Sequence, residues 1–363
     1  MIDRRPHAEP PPPRVGVKRE DLAMWMLGGL LTVALLWFFK EAASVTLPLV
    51  CGILIALAVL PIVTWVQAAV PRKLGWLGYV AALGIVIGFL GLFVAGLSIA
   101  ASQMLGQADE LIPRFKSVIE NSPLAQFADQ GRSVEQIVGA FGSYAQQIAK
   151  SAGSLVSGIV LIFFLVLLML TEADDWRAKA TAATSGNAQG WSDAATAIGQ
   201  CFRRYFLSRL FLGAVTAALY AAWLAVFGIP LLLVWALLAL LLNFIPTVGS
   251  LVAAALPVAF AFALKDGTTA MLVAGGLLLI EQVIGNFVDP KVTGKQLSIS
   301  PLVVLVSLLL WSWVWGLAGA LIAVPTTMLL TIVFAHLPKL RRVALLFSNE
   351  RDLDALAAHT RPG

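Results

Sequence analysis

One acid stands inside an otherwise apolar run. Glu281 follows Leu277, Leu278, Leu279 and Ile280 and is followed by Gln282, Val283, Ile284 and Gly285. A carboxylate at the centre of a membrane helix costs about 2.5–3.5 kcal/mol on insertion scales, so such a residue faces a cavity or a partner. Its chemistry would be to carry a proton or a coupling cation, or to contact a polar solute. The competing reading is an interfacial acid near the outer headgroups. Gln282, Asn286 and Asp289 extend the polar stretch towards Lys291 and Lys295, and Pro290 and Gly294 interrupt it. That stretch reads either as a gate or vestibule or as a plain loop.

A second group surrounds a helix breaker. Asn243 precedes Phe244, Ile245, Pro246, Thr247, Val248 and Gly249. Proline frees the carbonyl one turn back and glycine permits a sharp bend. Asn243 and Thr247 could satisfy the freed groups or bind a polar solute. Pro301 opens the last long apolar run and joins the candidate path. No phosphate loop, nucleophile with a base, or metal-ligand spacing accompanies these residues. The histidines, His7, His336 and His359, are far apart in the chain, and the two cysteines, Cys51 and Cys201, lie in or beside apolar runs. The reading is therefore a non-enzyme, without cofactor or metal and without an ATP engine.

The elements that position these residues are membrane helices. Hydrophobic residues make up 59% of the 363-residue chain and charged residues 12%, against roughly 25% charged residues in a soluble domain. The surface must therefore face lipid. The net charge of +5 reads as orientation-setting loops and tails rather than a nucleic-acid surface, because no basic patch is interleaved with aromatics. Eight apolar runs, 22–39, 45–66, 76–103, 154–171, 206–228, 231–264, 268–285 and 301–336, are each expected to be helical, since unpaired backbone is not tolerated in lipid. The fold class is all-α and polytopic, with about eight spans.

The same runs divide the chain. Residues 1–21 form a basic, proline-rich tail expected to be disordered and cytoplasmic, with no cleavable signal peptide. Spans one to three occupy 22–103, an extracytoplasmic helical hairpin 104–153, and span four 154–171. A cytoplasmic amphipathic segment covers 172–205, where Ile198, Phe202 and Tyr205 share one face. Spans five to eight fill 206–338, and a cytoplasmic tail 339–363. Alternating from a cytoplasmic N-terminus places 18 of the 25 lysines and arginines inside, so both termini are expected in the cytoplasm of a bacterial inner-membrane protein.

Two runs are too long for one crossing. At 1.5 Å per residue, 231–264 would extend about 51 Å and 301–336 about 54 Å, against a hydrocarbon core of about 30 Å. Pro246 and Gly249 in the first, and Gly316 and Gly319 in the second, mark expected broken or re-entrant helices. The runs also resemble each other. Gly249-Ser-Leu-Val-Ala-Ala answers to Gly319-Ala-Leu-Ile-Ala, and each run follows another span. Both are expected to travel from outside to inside, which makes spans five-six and seven-eight a parallel internal repeat. The aromatic run Trp311-Ser-Trp-Val-Trp315 reads as interface and packing tryptophan.

The C-terminal half carries a specific string of motifs. Arg203-Arg-Tyr-Phe-Leu-Ser-Arg-Leu-Phe-Leu-Gly213 is followed by Phe227-Gly-Ile-Pro230, Asn243-Phe-Ile-Pro-Thr-Val-Gly249 and Asn286-Phe-Val-Asp-Pro-Lys-Val-Thr-Gly294. Leu297-Ser-Ile-Ser-Pro301 and Gly316-Leu-Ala-Gly-Ala-Leu-Ile-Ala-Val-Pro325 close the series. This order resembles the autoinducer-2 exporter family over about residues 195–338, and the front half matches in layout. Ser250 departs from the proline common after the glycine. The resemblance implies an eight-span permease-like subunit in a homo-oligomeric ring such as a pentamer. It implies membrane lipid and a small molecule or ion as partners, with no nucleic acid. The expected function is secondary transport, in the exporting direction, of a small polar solute such as an autoinducer-2-like signal. A sodium or other cation/proton antiporter is one alternative and a non-transporting membrane scaffold the other.

Overall fold

A computed structural model describes residues 19–120, 157–183, 188–246, 248–293, 299–337 and 340–360. Helix dominates them, and the only β pairing among them is the isolated bridge between Ile299 and Ser348. The order is α1 (Arg19–Glu41), α2 (Ala43–Ala69), a short 3-10 turn (Arg72–Leu74), α3 (Trp76–Glu120), α4 (Ser157–Thr171), α5 (Ala173–Ala183) and α6 (Ala188–Val226). Then come α7 (Leu232–Leu242), α8 (Val248–Leu264), α9 (Gly267–Val283), a π-helical turn (Ile284–Val288) and α10 (Asp289–Thr293). The chain ends with α11 (Pro301–His336), α12 (Arg341–Phe347) and α13 (Leu353–Thr360).

Five of these helices have the length and apolarity to cross a membrane: Ala43–Ala69, Arg72–Gly106, Ala194–Val226, Gly267–Val292 and Pro301–His336. Ser157–Thr171, Leu232–Leu242 and Val248–Phe262 are shorter apolar helices. The outward faces of α3, α9 and α11 carry Leu92, Met271, Leu279 and Leu309, each well exposed. Large aliphatic side chains spread over a whole surface suit hydrocarbon, where a helix satisfies its own backbone and needs no polar exterior. The protein is thus an all-α polytopic membrane protein. Of the expected hairpin at 104–153, residues 104–120 continue α3 and residues 121–153 lie outside the described residues.

Both long apolar runs fold back on themselves. In the first, the rings of Trp235 in α7 and Phe260 in α8 meet with centroids 5.2 Å apart. In an unbroken helix those residues would stand about 37 Å apart. The two ends of this hairpin also lie together, because a Cβ on Gly228 would sit 3.6 Å from the Lys265 Nζ. The break after Leu242 needs glycine at 249, where a Cβ would overlap the carbonyl oxygen of Leu242.

The second hairpin is built the same way within α11. Trp315 (φ −126°, ψ 17°) and Gly316 (φ 63°, ψ −144°) leave the helical region. Gly316 needs the left-handed half of the map, which side-chain-bearing residues rarely adopt. The Trp311 indole then donates to the Thr327 hydroxyl at 3.1 Å, and Gly319 packs where a Cβ would overlap the Trp311 carbonyl oxygen.

This geometry corrects the expected direction of travel. A hairpin returns to the face from which it started, so 231–264 does not carry the chain across from outside to inside. As a result α6 and α9 are antiparallel: Arg209, early in α6, meets Asp289, just past α9, and Tyr220, late in α6, meets Glu281. The repeated unit of one long helix followed by one hairpin is present, but inverted rather than parallel. The first hairpin starts beyond Val226, at the Tyr220 end of this seam, and the second starts beyond Thr293, at the Asp289 end. The main core lies where α6, α9 and both hairpins converge, around Tyr220, Leu224, Trp235, Phe260, Leu277 and Trp311.

Candidate functional site

One face of α6 carries a polar series. Tyr205, Arg209, Thr216 and Tyr220 follow at intervals of four, seven and four residues, so they stack along a narrow stripe. Tyr205, Thr216 and Tyr220 are buried, and the Arg209 side chain is 14% exposed. The stripe faces α9 and the tip of the first hairpin.

Glu281 sits on the opposing face of α9. Its Oε1 accepts a hydrogen bond from the Tyr220 hydroxyl at 2.7 Å. That partner is a neutral hydroxyl, not a cation. Asp289 has the opposite arrangement: its Oδ2 lies 3.0 Å from an Arg209 guanidinium nitrogen. The two expected acids therefore lie on one seam in different electrostatic settings. The π turn at Ile284–Val288 separates them. A π turn holds one residue more than α-helical geometry, and such insertions recur at functional sites.

Asn243 lies at the tip of the first hairpin, where its amide donates to the Arg209 carbonyl at 2.9 Å. The Tyr205 hydroxyl donates to the Phe244 carbonyl at 3.0 Å. The Arg209 guanidinium stands over the Tyr205 ring, 5.6 Å from its centroid. The Phe244 carbonyl, in the break, is thus satisfied from α6, and the Asn243 side chain ties the break back to the α6 backbone. Gly213 makes this docking close, since a Cβ there would stand 3.0 Å from the Leu240 carbonyl oxygen.

The remaining expected residues divide. Pro246 lies in the break, half-buried, and Gly249 is buried at the start of α8. Thr247 and Gly294 lie outside the described residues. Gln282, at the end of α9, and Asn286, in the π turn, are exposed, and the Asn286 amide donates to the Gln282 side-chain oxygen. Pro290 is exposed in α10, and Pro301 is exposed in the first turn of α11. The stretch after Glu281 is helical through Thr293 rather than a loop. The aromatic run holds the second hairpin: Trp311 and Trp315 stack with centroids 4.7 Å apart. The Trp315 indole reaches the Phe39 carbonyl at 3.2 Å and the Thr46 hydroxyl at 3.1 Å.

Tyr205, Arg209, Thr216 and Tyr220 escaped the sequence reading as site residues. Their signal was available, because they place four polar-headed side chains on one stripe of an apolar helix. Arg209 stands in the Arg203–Gly213 motif, where nothing local marks it as a partner of Asp289.

The inverted helix-and-hairpin units, with partnered acids on an internal seam, define a polytopic all-α membrane protein. The chain belongs to the AI-2E family transporter family, which it matches over residues 27–339. It is 28% identical over 335 residues to the AI-2 transport protein TqsA of Escherichia coli (strain K12), covering 89% of this chain and 94% of that one. It is 26% identical over 349 residues to a Haemophilus influenzae protein named "Putative transport protein", covering 92% of this chain and 98% of that one.

Proposed function

We propose that the protein is a secondary transporter that exports a small polar solute, of the autoinducer-2-like signal class, across the bacterial inner membrane. Family membership and the name of the Escherichia coli relative support the solute class. The observation that carries the coupling is the contact between Glu281 and Tyr220. A carboxyl whose partner is a hydroxyl exchanges a proton or a monovalent cation without any ion pair having to break. Asp289, held by Arg209, lacks that freedom. Glu281 is the coupling residue in this reading, and the hairpin tip at Asn243–Gly249 borders the solute path. Discontinuous helices at an inverted repeat suit that role, since their ends present backbone polar groups inside the membrane.

The proposal includes a homo-oligomeric ring, for which the exposed aliphatic faces supply contact surface, and a cytoplasmic location for both termini. The fold-back supports that orientation. It brings Lys291 to the side of Arg203, Arg204, Arg341 and Arg342, because Asp289 pairs with Arg209 and the start of α11 bridges to Ser348. A basic side of this kind faces the cytoplasm.

The test is flux of autoinducer-2 in proteoliposomes under an imposed proton or sodium gradient, comparing the native chain with Glu281→Gln. The native chain is expected to move solute with the gradient, and the variant to lose at least about 90% of that flux while keeping its thermal stability. Equal flux in both would remove Glu281 from the coupling. Ion-dependent pH changes with no organic solute present would replace solute export by cation/proton antiport at the same acid.

A further inference from the structure

The other end of the seam closes on itself. Arg209 makes two unrelated attachments: its guanidinium pairs with Asp289 across eighty residues of sequence, and its carbonyl receives the Asn243 amide from the hairpin tip. One residue therefore ties the tip to α6 and α6 to α10. The Arg209 Nε is buried and, among the described residues, has no hydrogen-bond acceptor, so the guanidinium fork is only partly engaged. Asp289 is 26% exposed, which leaves water a route to the pair.

The element behind Asp289 can move it. The backbone N–H of Asp289 bonds to the Ile284 carbonyl, five residues back, at the end of the π turn. Reversion of that turn to α-helical register would rotate everything beyond it by about 100° around the helix axis. That rotation swings Asp289 away from Arg209 while Glu281, on the near side of the turn, keeps its place. Seven residues deeper on α6, the Thr216 hydroxyl is buried at 3% exposure, also without a partner among the described residues. It lies between the two polar pairs and is the group that opening would wet.

We propose that Arg209 and Asp289 form an ion-pair latch closing the Asp289 end of the α6–α9 seam, with the π turn as its release. Thr216 then lines the passage that the latch seals. This rests on the transport reading for its purpose, but the latch itself is a statement about access and is tested without measuring transport.

The experiment places Thr216→Cys in a Cys51→Ala, Cys201→Ala background of the full chain. It follows labelling by a membrane-impermeant, positively charged methanethiosulfonate reagent. With the latch intact, labelling is expected to be slow. Asp289→Asn is expected to accelerate it at least 10-fold, Arg209→Lys to give an intermediate rate, and the exchanged pair Arg209→Asp, Asp289→Arg to return it towards the slow value. Unchanged labelling in Asp289→Asn and Arg209→Lys proteins that run as the native assembly would overturn the latch. So would fast labelling in the intact-latch protein. Should Asp289→Asn fail to assemble, Arg209→Gln, which removes the cation of the pair, decides the matter alone, and unchanged labelling there overturns the latch. Loss of the Glu281→Gln effect on flux would remove the coupling reading and leave these labelling rates standing.

Discussion

The ring of Trp235 rests against the ring of Phe260, 25 residues later, with centroids 5.2 Å apart and planes tilted by 63°. An edge-to-face pair of this kind contributes about 0.5–1.5 kcal/mol beyond its buried area. Its larger meaning is topological. It joins the first turn of α7 to the last turns of α8 and makes a hairpin from what would otherwise be one long helix.

The hairpin turns are expected to be intolerant of side chains. Gly249→Ala and Gly319→Ala would each drive a Cβ into a backbone carbonyl oxygen, of Leu242 and Trp311 respectively. Backbone cannot step aside as a flexible side chain can, so each should destabilise by about 1–3 kcal/mol or more. Gly84→Ala, where nothing lies within 4 Å, should leave stability within about 0.5 kcal/mol of the native value. Thermal unfolding of purified protein in detergent checks all three.

The Glu281–Tyr220 contact is open to a double-mutant cycle. Tyr220→Phe removes only the donor and leaves the carboxyl oxygen without it, at a cost of about 1–3 kcal/mol. Tyr220→Phe in a Glu281→Ala background should cost much less. The difference is the coupling energy between the two side chains, read from unfolding in detergent. A coupling indistinguishable from zero would mean that the pair does not form in the membrane protein.

The second hairpin should depend on one tryptophan more than on its neighbour. Trp315→Phe loses the indole donor to the Phe39 carbonyl and the Thr46 hydroxyl. It should destabilise by about 1–3 kcal/mol, because the buried ring loses volume against Trp311 together with its donor, although Thr46 still donates to the Phe39 carbonyl. Trp313→Phe loses only the Lys40 ammonium over its ring, worth about 0.5–1 kcal/mol at an exposed site. Melting temperatures should rank native, Trp313→Phe and Trp315→Phe in that descending order.

At the start of α9, outside the membrane segment, Asp266 caps the helix. Its carboxylate accepts from the Thr269 hydroxyl at 2.7 Å and from the Thr269 backbone N–H at 3.0 Å. These bonds hold its pKa below the ordinary value of 3.8. A depressed folded-state value means that the charged cap stabilises above the unfolded value and loses that contribution as pH falls through the folded one. Asp266→Ala should therefore lower the melting temperature near neutral pH. The gap to the native chain should narrow below pH 3.8. Asp266→Asn, which keeps an acceptor, should fall between the two with no such pH dependence.

Much of the molecule was legible in the chain of residues alone. Apolar runs without alternation dictate helices, because backbone in lipid has no other partner. Excess length with Pro246, Gly249, Gly316 and Gly319 inside the two long runs marked where helices must break. Glu281 was conspicuous because its insertion is costly. All of this follows from the local content of short windows, which one sequence displays in full.

The tertiary structure decided what those windows could not. Pro246 and Gly249 mark a break, but apolar content is the same whether the chain beyond it resumes across the membrane or turns back, so the choice between the two at Asn243–Gly249 had no compositional sign. It was set by contacts between distant residues: Trp235 on Phe260, Asn243 on the Arg209 carbonyl, Tyr205 on the Phe244 carbonyl. That reversal made α6 and α9 antiparallel. Only antiparallel helices can bring Arg209 to Asp289 while Tyr220 meets Glu281, eleven residues along one helix and eight along the other. Partners eighty and sixty-one residues apart become neighbours through the direction of the chain, and direction is a property of the packed whole.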